Sequence, residues 1–188
     1  MAYRAAQAAL VTYLRWHANA SLTEITAGGV TFWTDDQLSA VLDENGVRAA
    51  IAVTEPITGT FVLDIPRHYW LDSDTIALYD SNDVELTDTV TYNPLLGEIT
   101  TLTTTPHHIK AVAINMFECL AHVWEMKAAH RFDYINIKGG SNAMAVEQEY
   151  NHCIHMRDHY RNRIIRRHDR KRLGRWTPAS TQSVNERD

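Results

Sequence analysis

Between Thr58 and Thr105 the chain changes its hydrophobic period, and that change limits the folds open to it. Short stretches of β-branched and aromatic residues, TFVLDIP, TIALYD, TDTVTYN and EITTLTTT, are separated by turn signals at Ser81-Asn82-Asp83 and from Asn93-Pro94 to Gly97. That is the pattern of strands joined by turns. On either side the apolar residues return at spacings of three and four, the period of an amphipathic helix. A purely helical chain and a purely β chain are both excluded by this order.

The helical segments carry their own boundaries. Residues Ala2 to about His17 place Ala6, Leu10, Tyr13 and Leu14 on one side. Thr34-Asp35-Asp36-Gln37 has the spacing of a capping box, and Asn45-Gly46 supplies a stop, so a helix is predicted from about Asp35 to Glu44 with Leu38, Val41 and Leu42 inward. From His107 to His130, Ile109, Val112, Ala113, Met116, Leu120, Val123 and Trp124 form one stripe at 100° per residue, which predicts a long helix. After Lys138-Gly139-Gly140, a last helix is predicted from about Ser141 into an arginine run, with Ala143, Val146, Tyr150, Cys153, Tyr160 and Ile164 stepping along one face. Two such helices pack face to face.

With 188 residues, 45% of them hydrophobic, the chain is long enough to bury a core as one domain. The expected fold is mostly α: a helical bundle with an inserted small antiparallel β-sheet or hairpin and a flexible C-terminal tail. A single helical domain would cover residues 1–173, with the β insertion at about 58–105 and an extended tail at 174–188. No apolar run approaches the roughly 18 residues of a membrane helix, so a soluble protein without membrane contact is expected. Gln7, Arg15, Trp16 and His17 break up the only stretch resembling a secretory leader. Cys119 and Cys153 are too few for a disulfide scaffold and read as reduced thiols.

Charge divides the chain unevenly. Residues 1–149 hold 8 Lys and Arg against 19 Asp and Glu, while residues 150–188 hold 10 against 4. The acidic middle repels phosphate backbones. The run from Arg157 to Arg175 carries nine cations, eight of them arginine, whose planar forks suit carboxylates or phosphates. Trp176 follows in RWTP, and an aromatic beside arginines is the composition of an interface anchor. An acidic protein surface is therefore the expected partner, and a solvated helix end or a duplex-DNA contact are the alternatives.

Motifs for chemistry are sparse. His152, His155 and His159 share one helix face, and Glu149-x-x-His152 copies half of a carboxylate-bridged metal signature. The second Glu-x-x-His is missing, however, and the trio points away from the Tyr150 and Ile164 stripe. Glu118, His122 and Glu125 likewise face away from the core, so both sets read as polar outer faces. Asp72-Ser73-Asp74 and the run from Asp80 to Glu85 read as turns, because the second lacks the glycine and glutamate of a calcium loop. Cys119 lies one turn from His122 but near the buried stripe, where a thiol is packing. No phosphate loop, nucleophile elbow or zinc-protease helix is present. Neither an enzyme nor a cofactor is expected.

The order of elements, a first helix, the capped helix TDDQLSAVLDENGV, an insertion ending VTYNPLLGEIT, and the helix pair IKAVAINMFECLAHVWEMKAAHRFDY and EQEYNHCIHMRDHYRNRI, resembles the head-to-tail adaptor (head completion, connector) proteins of long-tailed bacteriophages. The resemblance covers about residues 1–170. It implies a non-enzymatic virion protein, made in the host cytoplasm and placed at the capsid vertex, that forms a dodecameric ring beneath the portal. Genome DNA would pass through without sequence-specific binding. Carried onto this sequence, it assigns Arg163, Arg166, Arg167, Arg170, Arg172, Arg175 and Trp176 to the portal contact, and Tyr92, Asn93, Pro94 and Leu95 to an exposed loop facing the next neck or tail protein. Two rival classes are a nucleic-acid-binding packaging accessory and a metal-binding helical bundle using His152, His155 and His159.

Overall fold

The computed structural model describes residues 7–20, 33–53, 59–63, 65–66, 68–94, 96–137, 143–164 and 176–178. Within them lie four helices and nine strands, and the chain divides into two compact units: residues 1–46 with 114–167, and residues 47–113 with 168–188.

The first unit is helical: α1 (Ala8–His17), α2 (Asp35–Glu44), α3 (Met116–Ile137) and α4 (Ala143–Ile164). The capping box at α2 is complete, with Thr34 Oγ1 accepting from Gln37 N at 3.3 Å and Gln37 Oε1 accepting from Thr34 N at 3.0 Å. Asn45 closes the other end, its Nδ2 donating to Val41 O at 2.7 Å. Leu10, Val11 and Leu14 of α1, Leu38, Val41 and Leu42 of α2, Met116, Leu120 and Val123 of α3, and Cys153 and Tyr160 of α4 are buried. Helices α3 and α4 pack along their lengths, and α1 is tied to α2 through Gln7, which is bonded to Ser39 and donates to Asp43 Oδ1 at 2.9 Å. Two cations hold the chain segments beside α1. Arg15 donates to the carbonyls of Ala20 and Trp33, both at 2.9 Å, and pairs with Asp35, while Lys127 donates to Asn19 O at 2.7 Å with its ammonium over the Trp33 and Trp124 rings.

The second unit consists of two sheets. Strands β1 (Gly46–Ala52), β3 (Tyr69–Leu71), β4 (Ala77–Tyr79), β5 (Glu85–Leu86), β8 (His108–Asn115) and β9 (Trp176–Pro178) form the larger, in the order β5-β4-β8-β1-β9 with β3 also beside β8. Strands β2 (Gly59–Val62), β7 (Glu98–Thr101) and β6 (Val90–Asn93) form the smaller, with antiparallel pairing at both of its seams. Ala49, Ile51, Leu71, Leu78, Ile109, Ala111 and Ala113 of the larger sheet share one core with Phe61 and Ile99 of the smaller.

The fold is therefore an α/β mix, which corrects the expected mostly α bundle with a small insertion and a flexible tail. The largest change is at β8, where the predicted long helix begins as a strand for eight residues. Ile109, Ala111 and Ala113 alternate inward there, and the chain turns helical only at Asn115, whose Oδ1 accepts from Phe117 N at 3.1 Å as an N-cap. β1 extends the β region on the other side, directly after the Asn45-Gly46 stop. Trp176–Pro178, expected in a flexible tail, is a strand on β1.

Asp88 fastens the two ends of the β6–β7 hairpin. Its carboxylate accepts from Thr103 N, Thr104 N and Thr104 Oγ1 at 3.0, 3.0 and 2.8 Å, and from Thr89 N at 2.7 Å. These donors, the Thr103 amide first, hold its pKa far below the ordinary carboxylate range. A carboxyl depressed by folding contributes stability that is complete at neutral pH, declines once pH falls below about 3.9, and is gone below its folded value. The stability difference between wild type and Asp88→Asn, measured by denaturant titration, is expected to shrink steadily between about pH 4.5 and pH 2. A difference constant over that range contradicts the account.

Candidate interaction surfaces

The arginine run begins inside the helical unit, and its first members are already engaged. Arg157 pairs with Asp158 at 2.8 Å and lies 4.0 Å from Glu125, Arg161 pairs with Glu125 at 2.8 Å, and the Arg163 guanidinium sits 5.0 Å above the Phe117 ring. Arg163 remains exposed at the end of α4. Arg166, Arg167, Arg170, Arg172 and Arg175 lie outside the described residues. Trp176 is placed by its backbone, opposite Ile51 of β1 in an antiparallel register that continues with Thr177 opposite Ala50 and Pro178 opposite Ala49.

Of the predicted loop at residues 92–95, Tyr92 and Asn93 are the last paired residues of β6, opposite Ile99 and Glu98 of β7, and Pro94 begins the turn between the two strands. Gly97 takes a φ of +67°, a conformation that favours glycine, and its N–H donates to Asn93 O at 2.9 Å to close the turn. Asn93 is exposed and Pro94 half-buried, whereas Tyr92 turns inward, its hydroxyl accepting from Leu71 N at 3.2 Å. Burial raises the Tyr92 pKa, so the phenol stays protonated. Leu95 lies outside the described residues. Leu96, which sequence reasoning passed over, is 59% exposed at the tip. A second unpredicted apolar surface is Trp16, 84% exposed near the end of α1. Large exposed aromatics of this kind are over-represented where proteins meet.

The two polar helix faces separate in the structure. His152, His155 and His159 are all exposed, with His152 edge-on to Trp124 and His159 edge-on to Tyr160. Among the described residues no three His, Cys, Asp or Glu side chains converge as a metal site. Glu118, His122 and Glu125, expected on an outer face, instead line a cleft of about 340 Å³ with Asn45 and Arg161. His122 Nδ1 lies 3.3 Å from Asn45 Nδ2 and 3.6 Å from Glu44 Oε2, and burial pushes the half-buried Glu118 carboxyl up. Finding that cleft in the sequence required knowing that the end of α2 meets α3 and α4. Cys119 is enclosed, its Sγ 3.9 Å from Val41 O, and burial drives its thiol pKa far up, so it is unreactive packing.

Among the described residues of the sheet unit, two basic side chains lie beside one groove. Arg48, Tyr79 and Lys110 flank a groove of about 460 Å³ floored by small residues including Ala50 and Ala77. Lys110 lies 4.0 Å over the Tyr79 ring and donates to Asp83 at 2.8 Å, and His108 donates to the same carboxylate at 2.9 Å. Both bonds hold Asp83 below its usual range, the one from Lys110 more strongly. Asp72 and Asp80, which the sequence suggested as turn residues, accept from Asp74 N at 3.3 Å and from Asn82 N and Val84 N at 2.8 and 2.9 Å. Among the described residues no helix is long and apolar enough to cross a membrane. Comparison with protein-family models, with curated proteins and with solved structures finds no match.

Proposed function

We propose that this chain is a structural assembly protein of a phage virion, joining the portal at the capsid vertex to the neck and tail as a ring around the DNA channel. The observation that carries the reading is the distribution of charge along the arginine run. Arg157 and Arg161 are neutralised within the helical unit. The stretch that follows, residues 165–175, adds six more cations and a single carboxylate, Asp169. A surplus of this density calls for an acidic partner, and arginine forks favour a protein surface presenting carboxylates. Arg163, Arg166, Arg167, Arg170, Arg172 and Arg175, with Trp176 at their end, form the portal contact in this reading. The β6–β7 turn, with the exposed Asn93 and Leu96, faces the next protein of the neck in this reading, while Tyr92 is committed to the core.

The acidic sheet unit supports the same reading. A channel wall rich in carboxylates does not grip a passing duplex. Co-sedimentation of the protein with rings of the portal from the same phage tests the proposal. Stoichiometric binding is expected, together with negligible retention on duplex DNA at 150 mM salt. Absence of portal binding, combined with duplex affinity that falls steeply with salt, assigns the arginines to nucleic acid and overturns the reading.

A further inference from the structure

The Trp176–Pro178 strand pairs with its acceptor β1 over three residues. β9 is the outermost strand of its sheet and covers three of the seven residues of β1, Ala49, Ala50 and Ile51. A three-residue antiparallel seam holds only a few backbone hydrogen bonds, each worth about 0.5–1.5 kcal/mol net, so closure within one chain is weakly held. The same bonds, in the same register, form when an identical segment arrives from another copy.

We propose that β9 is exchanged between copies: the Trp176–Pro178 strand of one copy pairs with Ala49–Ile51 of its neighbour. Three further observations favour exchange over return. Eleven residues separate the end of α4 at Ile164 from Trp176, enough to span roughly 36–40 Å when extended. Those residues hold six cations and one carboxylate, and like charges in a linker favour reaching outward over folding back. The acceptor GVRAAIA is rich in small side chains, so an incoming strand meets little bulk at this sheet edge. Each copy gives one strand and takes one, a head-to-tail contact that repeats around a closed ring. The inference deepens the ring assembly proposed above and rests on it for closure. The arginines then lie on a segment anchored at one end by its own α4 and at the other by the neighbour's sheet.

Cysteine cross-linking tests this, since Ala50 and Thr177 are directly opposed and the native Cys119 and Cys153 are buried. A copy carrying Ala50→Cys is mixed with one carrying Thr177→Cys, and a third preparation carries both changes in one chain. Each is oxidised on portal rings and also alone at high concentration, then run on non-reducing gels. Exchange predicts a covalent dimer from the mixture and a ladder from the double variant, with more than half of the chains above monomer size. Exclusively monomeric product in both preparations, whether internally bridged or unmodified, overturns the exchange. Portal binding is scored separately in the same samples. A ladder from protein that ignores the portal upholds exchange while removing the adaptor function, and monomers on a decorated portal do the reverse.

Discussion

Changing Arg166, Arg167, Arg170 and Arg172 together to Gln is expected to weaken the proposed binding to the portal about 100-fold, equivalent to about 2.7 kcal/mol, while leaving both units folded. The four lie beyond α4, after the internal pairs of Arg157 and Arg161 with Glu125 and Asp158. Residues 165–175, to which they belong, hold six cations against the single carboxylate of Asp169. Desolvated arginines paired with carboxylates across an interface carry a large share of binding energy. Exposed pairs contribute less and are screened by salt, so binding by the wild type should also weaken with ionic strength. Surface-immobilised portal measures both effects. Unchanged affinity in the fourfold variant moves the contact elsewhere, with the hairpin tip at Leu96 and the exposed Trp16 as the next surfaces to change.

The largest stability effect is expected at Ile109. It is completely buried in the middle of the sheet-unit core, on a strand flanked by β4 and β1. Ile109→Ala removes three carbons from a packed site and leaves a cavity, at a cost of about 2–5 kcal/mol. For a unit of this size that corresponds to a Tm lowered by roughly 8–40 °C. Ile109→Val should cost only about 1 kcal/mol. Circular dichroism melts of the three proteins check the order. Equal melting of Ala and Val variants would mean that β8 is not the core strand described here.

Ile109 also marks where the sequence misleads. In HIKAVAIN the inward residues Ile109, Ala111 and Ala113 alternate as a strand requires, yet Ile109, Val112, Ala113 and Met116 also satisfy a helical stripe. Alanine and lysine are good helix formers, so local preference favoured the wrong period. Pairing with β4, β1 and β3 decided it, and none of those partners is local in sequence. The alanine-rich β1 escaped notice for the same reason, and its β9 partner lies more than 120 residues downstream. By contrast α2 was legible to the residue, because Thr34, Gln37 and Asn45 act on backbone groups within one turn. The arginine run was legible from composition alone. The internal engagement of its first three members was not, since Glu125 and Phe117 come from a different helix.

Electron microscopy of the protein mixed with rings of the proposed portal partner tests the central claim most directly. The account predicts a second annular layer stacked coaxially on the portal ring, with α4 and the arginine segment at the seam between the layers. Portal rings that stay bare at saturating protein, or density bound away from the ring axis, would contradict it.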